Sequence, residues 1–224
     1  MNNVPDWWLK PRTIAIVVDN PSWILPFVET LISDINAAGD HAALYREYKD
    51  MPEVDIAFYL GCIKIAPEST LNKSKRKLVC HASDLPKGRG FSPSSWSVLE
   101  GNNDIPVCLL EAVKAVDAGP VIYRTTMHLS GHELADEMRD IFGTLTVNLC
   151  KKFLNEPIPI PGEPQIGEPT FYERRRPIHS RLDVNKSIIE QFNLLRIVDN
   201  NSYPAYFEHL GHKYKIAIEK IGST

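Results

Sequence analysis

The sequence predicts an α/β fold: a doubly wound, mostly parallel sheet followed by a small C-terminal helix-plus-hairpin subdomain. Three observations point to it. Apolar runs rich in β-branched residues recur along the first half of the chain, as strands buried on both faces require. Some of the segments between them repeat apolar residues at helical spacing. After Leu154 the composition turns proline-rich and then breaks into short amphipathic stretches.

The first strand is expected over 13–18, where Thr13-Ile14-Ala15-Ile16-Val17-Val18 runs without polar interruption until Asp19-Asn20-Pro21-Ser22 breaks it. Residues 24–38 place Ile24, Phe27, Val28, Leu31, Ile32 and Ile35 on one helical face, and Gly39 suits the C-terminal cap. Further strands are expected over 42–48, 54–60, 78–80, 107–112 and 121–125. Ser130-Gly131-His132-Glu133 has the capping-box pattern, so a helix is expected from Ser130 to about Phe153, burying Leu134, Met138, Ile141, Phe142, Leu145 and Leu149. Strands alternating with helices argue for a doubly wound sheet. Pro157, Pro159, Pro161, Pro164 and Pro169 make 155–169 a stiff, extended linker. Beyond it, 185–198 reads as a short amphipathic helix through Ile188, Ile189, Phe192, Leu195 and Ile197, and 203–207 with 212–218 as a hairpin turning at Gly211. The expected division is 1–154, 155–169 and 170–224.

Charge and cysteines narrow the function classes. With 25 basic and 28 acidic residues the net charge is −3, which disfavours a nucleic-acid partner. Cys62, Cys80, Cys108 and Cys150 form no Cys-x-x-Cys pair, so they read as buried free thiols of a reducing cytoplasm. The N-terminal Met1-Asn2-Asn3-Val4-Pro5-Asp6-Trp7-Trp8 lacks signal-peptide regions, and no apolar run is long enough for a membrane span. Trp7 and Trp8 pack either on the sheet or on a partner. No metal is expected, because the seven histidines show neither an HxxxH nor an HxH pattern.

The chemistry-bearing residues sit at the ends of two apolar runs. Leu78-Val79-Cys80 leads into His81, and Val107-Cys108-Leu109-Leu110 leads towards Asp117. Open α/β sheets collect ligands beyond the carboxyl ends of their strands, and a His and an Asp delivered there are candidates for proton transfer.

The stretch Cys80-His81-Ala82-Ser83-Asp84-Leu85-Pro86-Lys87-Gly88-Arg89-Gly90 resembles the catalytic loop of the 10-formyltetrahydrofolate-dependent formyltransferases, Asn-x-His-x-Ser-Leu-Leu-Pro-x-x-Arg-Gly. His81, Ser83, Leu85, Pro86, Arg89 and Gly90 match in register, and Asp117-Ala118-Gly119 resembles the family's Asp-x-Gly after a strand. Phe171-Tyr172-Glu173-Arg174-Arg175-Arg176-Pro177, Asn193-Leu194-Leu195-Arg196 and Tyr203-Pro204-Ala205-Tyr206-Phe207 resemble the region after the catalytic domain in the sugar and methionyl-tRNA branches. The resemblance covers roughly residues 50–215. It implies a Rossmann-like formyltransferase sheet in 1–154, with His81 and Asp117 catalytic. It implies 10-formyltetrahydrofolate as co-substrate, facing Gly61, Cys62, Ile63, Lys64 and Ile65 on one side and Lys114, Ala115 and Val116 on the other. Ser83, Lys87, Gly88, Arg89 and Gly90 would then bind the acceptor. The Arg174-Arg175-Arg176 run either holds a diphosphate or is a solvated basic face.

The favoured acceptor is a nucleotide-linked amino sugar, with a soft association to pseudaminic acid-type sugars. The expected protein is cytoplasmic, free of membrane insertion, and a homodimer through its exposed terminal hairpin. Methionyl-tRNA formylation is the alternative. So is a non-catalytic folate- or sugar-binding homologue, because Val79 stands where the family has an Asn. That Asn supplies a hydrogen bond to the oxyanion of formyl transfer, and losing one such donor typically costs on the order of 10²–10³ in rate.

Overall fold

The computed structural model describes residues 4–222. Met1, Asn2 and Asn3 of the N-terminal segment, and Ser223 and Thr224 of the C-terminal subdomain, lie outside the described residues.

Each of the six apolar runs forms a strand. The main elements are β1 (Thr13–Val17), α1 (Leu25–Ala37), β2 (His41–Tyr45), β3 (Val54–Tyr59), α2 (Glu68–Leu71), β4 (Ser74–His81), the two-residue β5 (Arg89–Gly90), α3 (Pro93–Leu99), β6 (Asp104–Glu111), β7 (Val121–His128) and α4 (Ala135–Leu154). One mixed sheet takes the order β2-β1-β3-β4-β6-β7. The first four pair in parallel, and β6 runs antiparallel to both of its neighbours. The open-sheet argument therefore holds for His81, at the end of a parallel strand. It does not hold for Asp117, which lies in the hairpin loop between antiparallel β6 and β7.

β1 is buried on both faces, as a central strand requires. On one face α1 and α4 supply Val28, Leu31, Ile35, Leu149 and Phe153, packing against Ile14, Ile16, Phe58 and Leu78. The other face is thinner: Ala15, Val17, Ala57 and Tyr59 lie under Met51 and Leu71. A buried ion pair closes the base of this core. Arg12 donates from its backbone, Nε and Nη2 to Asp40 at 2.9, 3.2 and 2.7 Å, and its Nη2 also reaches the Leu154 carbonyl. Burial works against the Asp40 charge, but Arg12 outweighs it and holds the carboxyl below its usual range. Trp8 is buried, edge-on to Phe153, with the Arg12 guanidinium over its ring.

Three expectations need correction. α4 begins at Ala135, five residues after Ser130. The Glu133 carboxylate instead takes the amides of Ser130 and Gly131, and Glu137 caps the Leu134 amide. The helix expected over 185–198 shrinks to a 3₁₀ turn and α5 (Phe192–Arg196), after β8 (Phe171–Tyr172), and leaves Ile188 and Ile189 more than 70% exposed, at 75% and 78%. The proline-rich segment is extended but not an open tether. Arg76 donates to the Ile160 carbonyl, and Glu163 and Val121 exchange two backbone hydrogen bonds at 2.8 Å. The hairpin forms as expected, with β9 (Ala205–His209) antiparallel to β10 (His212–Ile216) across Leu210 and Gly211. Among the described residues, no helix is long and apolar enough to cross a membrane.

Candidate active site

β4 ends on His81, which is 6% exposed and lines a cavity of about 430 Å³. Its Nε2 lies 2.8 Å from the Gly88 carbonyl, which can only accept, so that nitrogen carries the hydrogen. Its Nδ1 lies 3.5 Å from Asp117 Oδ2. The same Asp117 oxygen accepts the Gly90 amide at 2.9 Å. Asp117 holds a left-handed backbone, φ +52°, a conformation Asp tolerates better than most residues. The glycine two positions on has a steric reason: a Cβ on Gly119 would lie 1.9 Å from the Glu111 carbonyl oxygen.

The wall formed by 61–65 is tied down from behind. Asp19, buried at the end of β1, accepts the Ile63 and Lys64 amides, each at 2.8 Å. Asn20 donates to the Gly61 carbonyl, and Tyr48 lies within hydrogen-bond reach of Asp19 and the Lys64 carbonyl. Burial opposes the Asp19 charge, yet Ile63, Asn20, Lys64 and Tyr48 together hold its carboxyl below the usual range. Burial, reinforced by the Asp19 charge, pushes the Cys62 thiol up to about 11, so it stays protonated. Arg174 reaches over from the C-terminal segment, donating to the Ile63 carbonyl with its guanidinium 4.3 Å from the Phe91 ring centre.

The loop 82–90 is held by residues far along the chain. The Gly88 amide donates to Thr170 Oγ1 at 2.8 Å, and the Arg89 amide to the Thr170 carbonyl. β5 pairs with β8, and a Cβ on Gly90 would lie 2.4 Å from the Tyr172 carbonyl oxygen. Gln165 accepts the Arg89 guanidinium and donates to the Asp117 and Gly119 carbonyls.

Not every residue expected at the site reaches the His81 cavity. Gly61, Cys62, Ile63, Lys64, Ile65 and Val116 line it; Lys114 and Ala115 do not, and Lys114 turns outward to Glu68. Of the acceptor set, Gly90 alone lines it. Ser83, Lys87 and Gly88 face a second, more polar hollow of about 360 Å³, and Arg89 is engaged by Gln165. Val79 lines the His81 cavity and packs with Leu85, Cys108, Leu110 and Val121. The basic run divides: Arg174 at the cavity rim, Arg175 turned inward to Ser180 and the His179 carbonyl, Arg176 exposed beside Glu173. Trp96 is half-buried; it stacks on Tyr172 and donates to the Glu173 carbonyl. Sequence reading missed Asp19 and Tyr48, and also the opposite end of the cavity, lined by Trp23, Ile24, Met138 and Phe142. A polar residue just after a strand reads as a turn former, and helix residues that point into a cavity share their spacing with those in the core.

No family model matches the chain. Over 179 residues it is 29% identical to the methionyl-tRNA formyltransferase of Sulfurihydrogenibium sp., covering 76% of this chain and 55% of that protein. The chain spans about half the length of the curated relatives it matches. Among solved structures, methionyl-tRNA formyltransferase from Clostridium thermocellum superposes with a TM-score of 0.81 at 18% identity, covering 94% of this chain and 93% of that one. The chain has the formyltransferase fold. The same fold relates it to a sugar N-formyltransferase from Shewanella sp., TM-score 0.67 at 14% identity, over 95% of this chain and 99% of that one. It also relates it to HypX from Aquifex aeolicus in complex with tetrahydrofolic acid, TM-score 0.71 at 14% identity, over 93% of this chain and 38% of that one.

Proposed function

We propose that this protein is an N-formyltransferase that moves a formyl group from 10-formyltetrahydrofolate to the primary amine of a nucleotide-linked amino sugar. The observation that carries the reading is the His81–Asp117 pair set at one cavity with the loop 61–65. The chemistry of the lining fits a folate: Ile63 and Ile65 from one loop and Val113 and Val116 from the other offer apolar faces to a flat ring. When bound, the folate supplies the formyl carbon as an activated amide.

The chain's own part is proton handling and orientation. With Nε2 committed to Gly88, His81 has Nδ1 to offer the cavity. There it takes the proton that the acceptor amine must shed and, once protonated, can donate to the oxygen on which charge develops. Asp117 stabilises the imidazolium so formed and is itself aimed by the Gly90 amide. Val79 contributes no donor, so the developing oxyanion depends more heavily on His81 than in a loop carrying Asn.

The sugar acceptor is supported by the net charge of −3; end-to-end matches exist to a sugar N-formyltransferase and to a methionyl-tRNA formyltransferase alike. A second reading, methionyl-tRNA formylation, draws on the sequence relatives. Incubating the protein and 10-formyltetrahydrofolate with a panel of nucleotide-linked amino sugars, and in parallel with methionyl-tRNA, decides between them by which product carries formate. No product from any acceptor, with folate still bound, establishes the binding homologue instead.

A further inference from the structure

We infer that Asp19 is a positioning residue for the proposed folate site, one that builds the 61–65 wall before any ligand arrives. The inference rests on the folate reading for its consequence, but its geometry stands alone. A carboxylate has about four acceptor positions. At Asp19 three N–H donors and one hydroxyl lie in reach: Oδ1 faces the Ile63 amide and the Asn20 side chain at 2.8 Å each, and Oδ2 faces the Lys64 amide at 2.8 Å and, at 3.0 Å, the Tyr48 hydroxyl, whose single hydrogen the Lys64 carbonyl also competes for at 2.8 Å. Nothing remains for a substrate, and Asp19 is not among the residues lining the cavity, whereas Tyr48 and the 61–65 residues are. The carboxylate therefore acts through the loop.

The rest of the wall follows the same logic. Gly61 turns with φ +61°, and its carbonyl takes the Asn20 amide. Cys62 Sγ donates to the Val17 carbonyl. With the Ile63 and Lys64 amides turned back onto Asp19, the loop cannot swing outward without stranding a buried charge. A wall fixed in this way presents Ile63 and Ile65 to the cavity as a preformed apolar face. Preorganisation of this kind strengthens binding by removing an ordering cost. An Asn at position 19 cannot reproduce it: one amide oxygen replaces two carboxylate oxygens, and its NH₂ sets a donor against a backbone donor.

The test pairs hydrogen exchange with binding of tetrahydrofolate, which carries no formyl group. In Asp19→Asn, the Ile63 and Lys64 amides should lose protection. The Kd for tetrahydrofolate should weaken roughly tenfold, the scale of one lost buried hydrogen bond. In turnover, KM for the folate should rise while kcat stays within about threefold, a split that general destabilisation would not produce. Tyr48→Phe guards against a variant that fails to fold. It leaves both amide bonds in place and should weaken tetrahydrofolate only about two- to threefold. Retained protection at Ile63 and Lys64, or an unchanged Kd, in Asp19→Asn overturns the inference; so does a fall in kcat with folate KM unmoved. If the wild-type protein binds no tetrahydrofolate, the formyltransferase reading fails, and the exchange result still decides whether Asp19 holds the loop.

Discussion

Two loops leave neighbouring parallel strands, β3 and β4, and both line the same cavity, yet they are held by opposite means. The loop 61–65 is braced mainly by Asp19, Asn20 and Tyr48, residues that precede it, with Arg174 added from far along the chain. The loop 82–90 is braced by Gln165, Thr170 and Tyr172, as many as 82 positions later in the chain. The first is an internal property of the sheet. The second takes some bonds from Cys108, Asp117 and Arg124, but its Gly88 and Arg89 braces exist only once the proline-rich segment has crossed back over the β6–β7 hairpin. The difference teaches that the 61–65 wall rests mostly on nearby residues, while the 82–90 loop rests largely on distant ones.

The largest effect expected is at the far-braced loop. His81→Ala should lower kcat/KM for formyl transfer by about 10²–10⁴, the usual contribution of a general acid–base residue, and should also lower the melting temperature by a few degrees, because it leaves the buried Gly88 carbonyl without its partner. Undiminished turnover would remove the chemistry from this loop altogether. Next comes Val79→Asn, which restores the donor of the family motif; it should raise kcat by about 10–10². It should also cost some stability, because Val79 packs against Leu85, Cys108, Leu110 and Val121. A rate that does not rise would show that His81 already meets the oxyanion's need.

Gln165→Ala sharpens the contrast more gently. Removing an amide that touches Arg89, Asp117 and Gly119 should cost about 1 kcal/mol in urea unfolding. Turnover should fall by roughly tenfold with folate binding unchanged, since the other loop does not rely on it. The smallest effect lies in the C-terminal subdomain and is a pH effect. Burial works against the charge of Asp199, but the Ser202 amide, Arg139 and the Asn201 amide bring its carboxyl down to about 2. Because the folded value lies below the ordinary 3.8, the stabilisation is full above about pH 4 and is lost as pH falls through about 2. Asp199→Asn should flatten that acid limb by about 1 kcal/mol, after allowance for solvent screening, in denaturant titrations at pH 3 and pH 7.

The sheet was legible because its strands are apolar runs with little else to be. The position of His81 was legible for the same reason, as the residue where a buried run stops. The start of α4 was not, because Glu133 serves the amides of Ser130 and Gly131 and faces Arg196, a partner 63 positions on. The helix over 185–198 was overread because Ile188 and Ile189 have the right spacing but remain exposed. Proline content alone made 155–169 look like a spacer, since nothing local reveals that Gln165 and Glu163 will bond to the β6–β7 hairpin. Ser83 and Lys87 shared a motif with His81, but the loop turns between them, and a linear motif does not tell which side of a loop a side chain takes. Asp19 was hidden by its smallness as a signal: one carboxylate at a strand end.

The long-range bracing of the 82–90 loop has a consequence for the order in which the protein is made. Ribosomes add about 5–20 residues per second. Roughly 80 residues separate Gly88 and Arg89 from Thr170. The nascent chain therefore carries His81 for something like 4–16 seconds before the residues that hold its loop have been synthesised. During that interval Asp19, Asn20 and Tyr48 are already present beside the 61–65 loop, whereas Thr170 is not. Most of the residues that brace the 61–65 wall are thus made well before Thr170, which ties down Gly88 and Arg89.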